Sequence, residues 1–262
     1  MLEAFRNWRR KRILAISAIP DALWREALEA LPFLAIYTEA ELSRLRERVV
    51  LFLSDKSIVP ARGFEVTPLM RVMIAIQACV LTLNLDPRLY DGWENIIVYP
   101  DEFVTELEYE DEIGVVHRRN EPLAGEAMPA GPVVLSWPDV EASADWAASG
   151  MNLVIHEFAH KIDMRSGEAN GCPPLPAEMP ARKWQKTMTT AYDHFVARVQ
   201  DGEETAIDPY AAENPAEFFA VLSEVFFAEP TLLQGEYPAV YQLFTWFYRQ
   251  DPASRTELLL EH

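Results

Sequence analysis

Cysteine is nearly missing from this 262-residue chain, and Cys79 and Cys172 are the whole supply. Two are too few for a disulfide framework, and neither belongs to a Cys-x-x-Cys pair, so a reducing compartment fits best. Basic residues are also scarce: 23 Lys and Arg stand against 41 Asp and Glu, a formal net charge of -18. Affinity for phosphate backbones comes mainly from Lys and Arg, so direct nucleic-acid binding is excluded as a main function. A role near DNA would act through a basic protein partner. No run reaches the roughly 18 apolar residues of a membrane span. Residues 6–12 (RNWRRKR) precede a short apolar run in the manner of a signal peptide, but Pro20 and Asp21 cut it off and no cleavage site follows. The expectation is a solvated, frayed terminus and a cytoplasmic protein. Low-complexity segments and internal repeats are absent, while apolar residues make up 50% of the chain, enough for a substantial core.

What is present centres on residues 154–163, Val-Ile-His-Glu-Phe-Ala-His-Lys-Ile-Asp. Four positions separate His156 from His160, which on a helix puts the imidazoles about 40° apart and one turn above each other. Two neutral ring nitrogens then converge on one point, as half of a tetrahedral zinc site requires. Glu157 lies beside that point, placed to take a proton from an activated water, as in the His-Glu-x-x-His signature. Leu153, Val154, Ile155, Phe158 and Ile162 give the helix an apolar face to bury. Asn152 is its expected cap and Gly167 its expected stop. The competing reading is a helix whose histidines satisfy core polar groups, and a third ligand separates the two.

The first third of the chain reads as helical. Leu23, Trp24, Ala27, Leu28 and Leu31 form one stripe, Thr38 with Glu41 a capping box for a second helix, and Thr67-Pro68 the start of a third. Near residue 93 the pattern changes. Ile96-Ile-Val-Tyr99 is a short strand, and Phe103 to Tyr109 and Val115 to Arg119 flank the turn Asp111-Glu-Ile-Gly114 as a hairpin. Between Asp101 and Glu112 lie seven acidic residues and no basic one, a solvated face of an edge strand. Pro132-Val-Val-Leu-Ser-Trp137 is a further strand. It fits either an edge that grips extended peptide or, from its continuous apolar run, a buried position. A long helix with the stripe Trp184, Met188, Ala191, Phe195 and Val199 follows a Gly- and Pro-rich loop, and helices around 216–227 and 239–250 end the chain. His194, His117 and His262 read as satisfied or exposed rather than as ligands. Together these elements predict one α+β domain over residues 1–262.

Candidates for the third ligand are Glu213, Glu217 and Glu224. Asn214 caps a helix that Pro215 begins, putting Glu217 in its first turn. By spacing alone Glu217 is as well explained by a capping box with Asn214. The combination of His156-Glu-Phe-Ala-His160, Asp163, Tyr210 and Glu217-Phe-Phe-Ala220 resembles the Mlc titration factor A family of zinc-dependent peptidases, and the same motifs are similar to the catalytic core of anthrax lethal factor. For the first family the likeness extends to Ile76-Gln-Ala-Cys79, Trp93 to Pro100, Gly131 to Trp137 and Pro173-Pro-Leu-Pro176.

The resemblance implies a zincin-like, gluzincin-like metallopeptidase domain with a helical N-terminal part, a small mixed sheet, an active-site helix and a helical C-terminal part. It implies zinc held by His156, His160 and Glu217, with Glu157 as base and Tyr210 stabilising the transition state. The expected substrate is a peptide or protein, with aminopeptidase and endopeptidase action both open. The alternative is a regulatory binding protein that sequesters a transcriptional repressor of sugar uptake, peptidase activity being secondary. Asp163 is placed to hold an imidazole N–H, to cap the helix end or to form a surface ion pair, and Glu224 is a similar candidate. Many glutamate-type zinc peptidases carry an acid four residues after the ligand glutamate; Val221 stands there, so the support of the ligands must be built differently.

Overall fold

The computed structural model describes residues 2–101, 103–110, 116–123, 125–128 and 130–260. It opens with helices α1 (Leu2–Ile16), α2 (Asp21–Glu29) and α3 (Glu39–Asp55), then strand β1 (Ser57–Pro60) and helix α4 (Pro68–Leu81). Strands β2 (Asn95–Tyr99), β3 (Phe103–Glu110), β4 (Val116–Leu123), β5 (Gly125–Ala127) and β6 (Val133–Ser136) follow. Short helices α5 (Trp137–Ala142) and α6 (Trp146–Ser149) lead into α7 (Leu153–Asp163), which carries the His-Glu-x-x-His motif. The chain closes with α8 (Ala181–Gln200), α9 (Pro215–Ala228), α10 (Pro230–Glu236), α11 (Pro238–Tyr248) and α12 (Pro252–Leu260). This is an α+β fold with a small mixed sheet. Among the described residues no helix is long and apolar enough to cross a membrane.

The caps form as their chemistry requires. Thr38 and Glu41 make the reciprocal capping box of α3, and Thr67 accepts the Met70 N–H at the start of α4. The N-terminus departs from the frayed reading, since α1 lies against α3 with Arg9 on Asp55 at 2.6 Å and Arg10 on Glu47 at 2.9 Å. The arginines found carboxylates on a helix far along the chain, which local composition does not reveal.

The main sheet runs β1-β2-β6-β5, with β1, β2 and β6 parallel and β5 antiparallel to β6. Pro132–Trp137 is therefore no edge. Its strand β6 pairs on both sides, and Val133, Val134 and Leu135 are buried, so the continuous apolar run meant a central strand. The edges are β1 and, beyond β6, the three-residue β5. The hairpin forms as β3 paired with β4; its turn at 111–114, the side chain of His117 and the terminal His262 lie outside the described residues, as do the side chains of the acidic run beyond Asp101.

Helix α7 is buried along its whole length. Phe158, on its back, meets Tyr90, Trp93 and Phe52 with ring centres 5.3, 5.7 and 5.8 Å away. A second aromatic layer, in which Trp184 and Phe219 touch each other and both touch Phe244 and Phe247, seats α9 against α8 and α11. Rings of this size dominate a core's burial energy and have few rotamers, so the two helices that face each other across the site are held from behind.

Candidate metal centre

Asn152 accepts the Ile155 N–H at 2.9 Å and starts α7, and Asn214 accepts the N–H groups of Ala216 and Glu217 to start α9. These caps set which residues of each helix point into the space between them. Glu217 stays free of its own cap, because Asn214 satisfies the backbone without it. Its carboxylate instead turns towards α7.

Three ligand atoms meet there. His156 Nε2 lies 3.0 Å from Glu217 Oε2, His160 Nε2 lies 3.1 Å from the same oxygen, and the two Nε2 atoms are 3.1 Å apart. His156, His160 and Glu217 thus form a group able to hold a metal ion. The donor set fits a divalent metal of zinc type: two imidazoles and a carboxylate, with a face left over for water or substrate. The tautomer fits too. His156 Nδ1 lies 2.7 Å from Glu224 Oε1, a carboxylate oxygen that accepts the Nδ1 proton, leaving the Nε2 lone pair for the centre.

Electrostatics favour positive charge at this point. Burial pushes the Glu217 carboxyl upward, but its contacts with His156 and His160 outweigh that and bring it to about 2. Burial alone would lower His156, and the carboxylates of Glu217 and Glu224 instead hold it well above the usual histidine value. Glu157 differs. It is 5% exposed, and burial raises it to about 7 against the opposing pull of both histidines. A carboxylate poised there can accept and return a proton near neutral pH.

Glu224 is the acid that stands in for the one missing at Val221. It lies seven residues beyond Glu217, two turns along α9, and it also accepts the Asn152 N–H. Asn152 in turn donates its side-chain amide to Gln77 Oε1 at 2.8 Å, and Gln77 donates to Met73 O. All of Gln77, Asn152 and Glu224 are at most 2% exposed. This buried chain from α4 to the imidazole joins residues 77, 152, 156 and 224. Sequence reasoning singled out Glu224 but missed Gln77; an amide within the otherwise apolar, buried stretch Val72 to Leu81 of α4 was the available signal. Asp163 takes neither the imidazole nor the capping role, since its side chain makes no helix-cap hydrogen bond. Its Oδ2 accepts the N–H groups of Asn170 at 2.8 Å and Gly171 at 2.7 Å, so it pins the loop after α7. No imidazole hydrogen bonds to it among the described residues.

The centre opens into a cleft of about 570 Å³ lined by Gly125, Glu126, Ala127, Met164, Asn170, Tyr210 and the three ligands with Glu157. Tyr210 sits on the rim, 48% exposed, in a short 3-10 turn over Pro209–Ala212 that Asp208 caps. Its ring centre lies 6.1 Å from that of His156. On the opposite wall β5 passes so close that a Cβ on Gly125 would fall 2.5 Å from Glu157 Oε1. Only glycine lets this backbone touch the base. Sequence reasoning did not identify β5, since three residues are too few to show a period. Of the other candidates, Glu213 is exposed outside the cluster, and His194 Nδ1 meets the Tyr237 hydroxyl at 3.2 Å.

Comparison with known proteins points to a metallopeptidase family. The glucose-regulated metallo-peptidase family M90 matches residues 5–249. Mlc titration factor A of Yersinia pestis (strain Pestoides F) is 41% identical over 237 residues, covering 89% of this chain and 86% of the relative. Mlc titration factor A of Yersinia pseudotuberculosis serotype O:3 (strain YPIII) matches to the same extent, 41% over 237 residues.

Proposed function

This chain belongs to the glucose-regulated metallo-peptidase family M90, and from that premise we propose that it is a zinc-dependent hydrolase of peptide bonds. The observation that carries the reading is the convergence of His156, His160 and Glu217 beside a buried Glu157. A purely structural metal site has no use for a base or for an open face.

His156, His160 and Glu217 would hold the zinc, which would supply an acidified water and a Lewis acid for the carbonyl oxygen. Glu157 accepts the proton of the attacking water and passes it to the leaving amine. Burial excludes bulk water from the carboxylate, which keeps its pKa near that task. Tyr210 keeps its hydroxyl protonated, because burial and the carboxylates around it raise its pKa. It therefore donates a hydrogen bond to the oxyanion that forms at the substrate carbonyl. Glu224 orients His156 throughout. The side of β5 away from β6 has no strand partner among the described residues, and an extended peptide adds to such an edge as a further strand. The same reading takes residues 1–262 as one metallopeptidase domain in the cytoplasm, in keeping with free thiols at Cys79 and Cys172.

A peptide library incubated with the zinc-loaded protein tests the proposal. Cleavage that chelation abolishes and added zinc restores is expected, whereas an intact library would remove the hydrolase reading. Tyr210→Phe separates chemistry from binding. It keeps the ring and deletes one donor, so kcat should fall by roughly 10²–10³ with little change in KM. An unchanged kcat in steady-state kinetics would make Tyr210 a packing residue.

The second reading rests on the relatives' name, which ties them to titration of Mlc. On it, this chain sequesters a transcriptional repressor and hydrolysis is secondary. Its net charge of -18 suits a basic partner surface. Repressor binding that persists in Glu157→Gln would support it.

A further inference from the structure

Lys161 is the residue of α7 that neither the ligand set nor the base explains. It directly follows His160, yet its side chain points elsewhere and is 4% exposed. Its Nζ donates to Met128 O at 2.7 Å and to Gly131 O at 2.9 Å. It also lies 4.6 Å from the centre of the Trp93 ring, and Lys56 Nζ lies 4.0 Å from the same centre. No carboxylate pairs with Lys161 among the described residues. A buried ammonium without a counter-ion is costly, and a methionine of similar length would fill the same space without that cost. The charge is kept where it reaches two carbonyls and an indole face, and both carbonyls belong to one turn.

That turn joins β5 to β6. It carries Ala130 at φ 52, a left-handed conformation that a side chain makes unfavourable. Gly131 is crowded, since a Cβ there would meet Met128 Cβ at 2.8 Å. Among the described residues, Gly131 N to Met128 O at 3.0 Å and Met128 N to Pro132 O at 3.2 Å are the backbone hydrogen bonds that hold the turn internally. A strand of three residues that ends in a strained turn has little stability of its own. One helix therefore holds both sides of the cleft. His156, Glu157 and His160 face the centre, and Lys161 grips the end of the strand that passes over Glu157.

We propose that Lys161 is a positioning residue that fixes β5 against the metal-ligand helix and thereby sets how an extended peptide lies across Glu157. The effect on substrate rests on the peptidase reading above, while the hold on β5 does not. Lys161→Met keeps the stem and removes the donors. Hydrogen exchange on the metal-free protein is expected to speed up by about tenfold or more at residues 125–131 and to stay unchanged at 153–163. On zinc-loaded protein, zinc affinity should stay within about twofold of wild type. KM for a peptide long enough to pair with β5 should rise about tenfold with kcat nearly constant, because it is the binding wall that loosens. Lys161→Arg, which keeps charge and donors, should recover part of that KM. If Lys161→Met does not fold, Lys161→Gln, which retains one amide donor, takes its place in each measurement. Unchanged exchange at 125–131 would overturn the proposal. So would an unchanged KM despite faster exchange, or a joint fall in zinc affinity and kcat. Should the wild type cleave no peptide, the hydrolase reading fails, and the exchange comparison still decides whether Lys161 holds β5.

Discussion

Glu157→Gln is expected to bind zinc as the wild type does and to lose hydrolysis by roughly 10²–10⁴-fold, the range in which a positioned acid–base group contributes. The amide has the carboxyl's shape, so it fits beneath Gly125, where the backbone leaves no spare room. It cannot accept a proton. None of His156, His160 or Glu217 is altered, so metal content measured on the purified variant should match that of wild type. Stability should change in a defined direction. The folded-state pKa of Glu157 is raised to about 7, above the ordinary value of 4.5. The folded protein thus holds this proton more tightly than the unfolded chain does. Metal-free wild type is therefore penalised as pH rises from about 4.5 to about 7, and the variant escapes that penalty. Denaturant unfolding should show the variant gaining on wild type across that window and keeping a constant lead above it. Full turnover in a zinc-bound Glu157→Gln would remove Glu157 from the mechanism.

Glu217→Ala is expected to produce the largest loss of metal. It removes one of three ligands and leaves two imidazoles that share a point without a neutralising carboxylate. Glu224→Ala should follow at some distance, with affinity falling about 10–100-fold, because it frees the His156 ring without removing a donor. Glu213→Ala should leave metal binding intact, since Glu213 is exposed and outside the cluster. Competition titrations against a chromophoric chelator, on variants checked for fold, give this order. Equal losses in all three would leave the assignment of Glu217 without support.

The parts of the site that could be read directly from the sequence are those written locally. The spacing of His156 and His160, the cap at Asn152 and the start of a helix at Asn214-Pro215 all depend on neighbours within a turn. The structure forms each of them. The choice of Glu217 over a capping-box role required a likeness to known peptidases, because spacing alone serves both. What could not be read is what depends on distant partners. Gln77 meets Asn152 across 75 positions, and Lys161 meets the 128–131 turn across about thirty. Neither leaves a periodic trace. The misplaced edge has the same origin. Val133 to Leu135 announced burial correctly, but the strand that covers β6 is the three-residue β5, too short to register as a pattern. Residues 6–12 looked like a frayed tail because the partners of Arg9 and Arg10, Asp55 and Glu47, lie on another helix.

The shortest route to the centre itself is X-ray absorption at the zinc edge on the zinc-loaded full chain. Two imidazole nitrogens at about 2.0–2.1 Å and light oxygen neighbours at about 2.0–2.2 Å are expected, with one nitrogen signature lost in His160→Ala. A sulfur neighbour at about 2.3 Å, or a spectrum that His160→Ala leaves unchanged, would contradict a metal centre built from His156, His160 and Glu217.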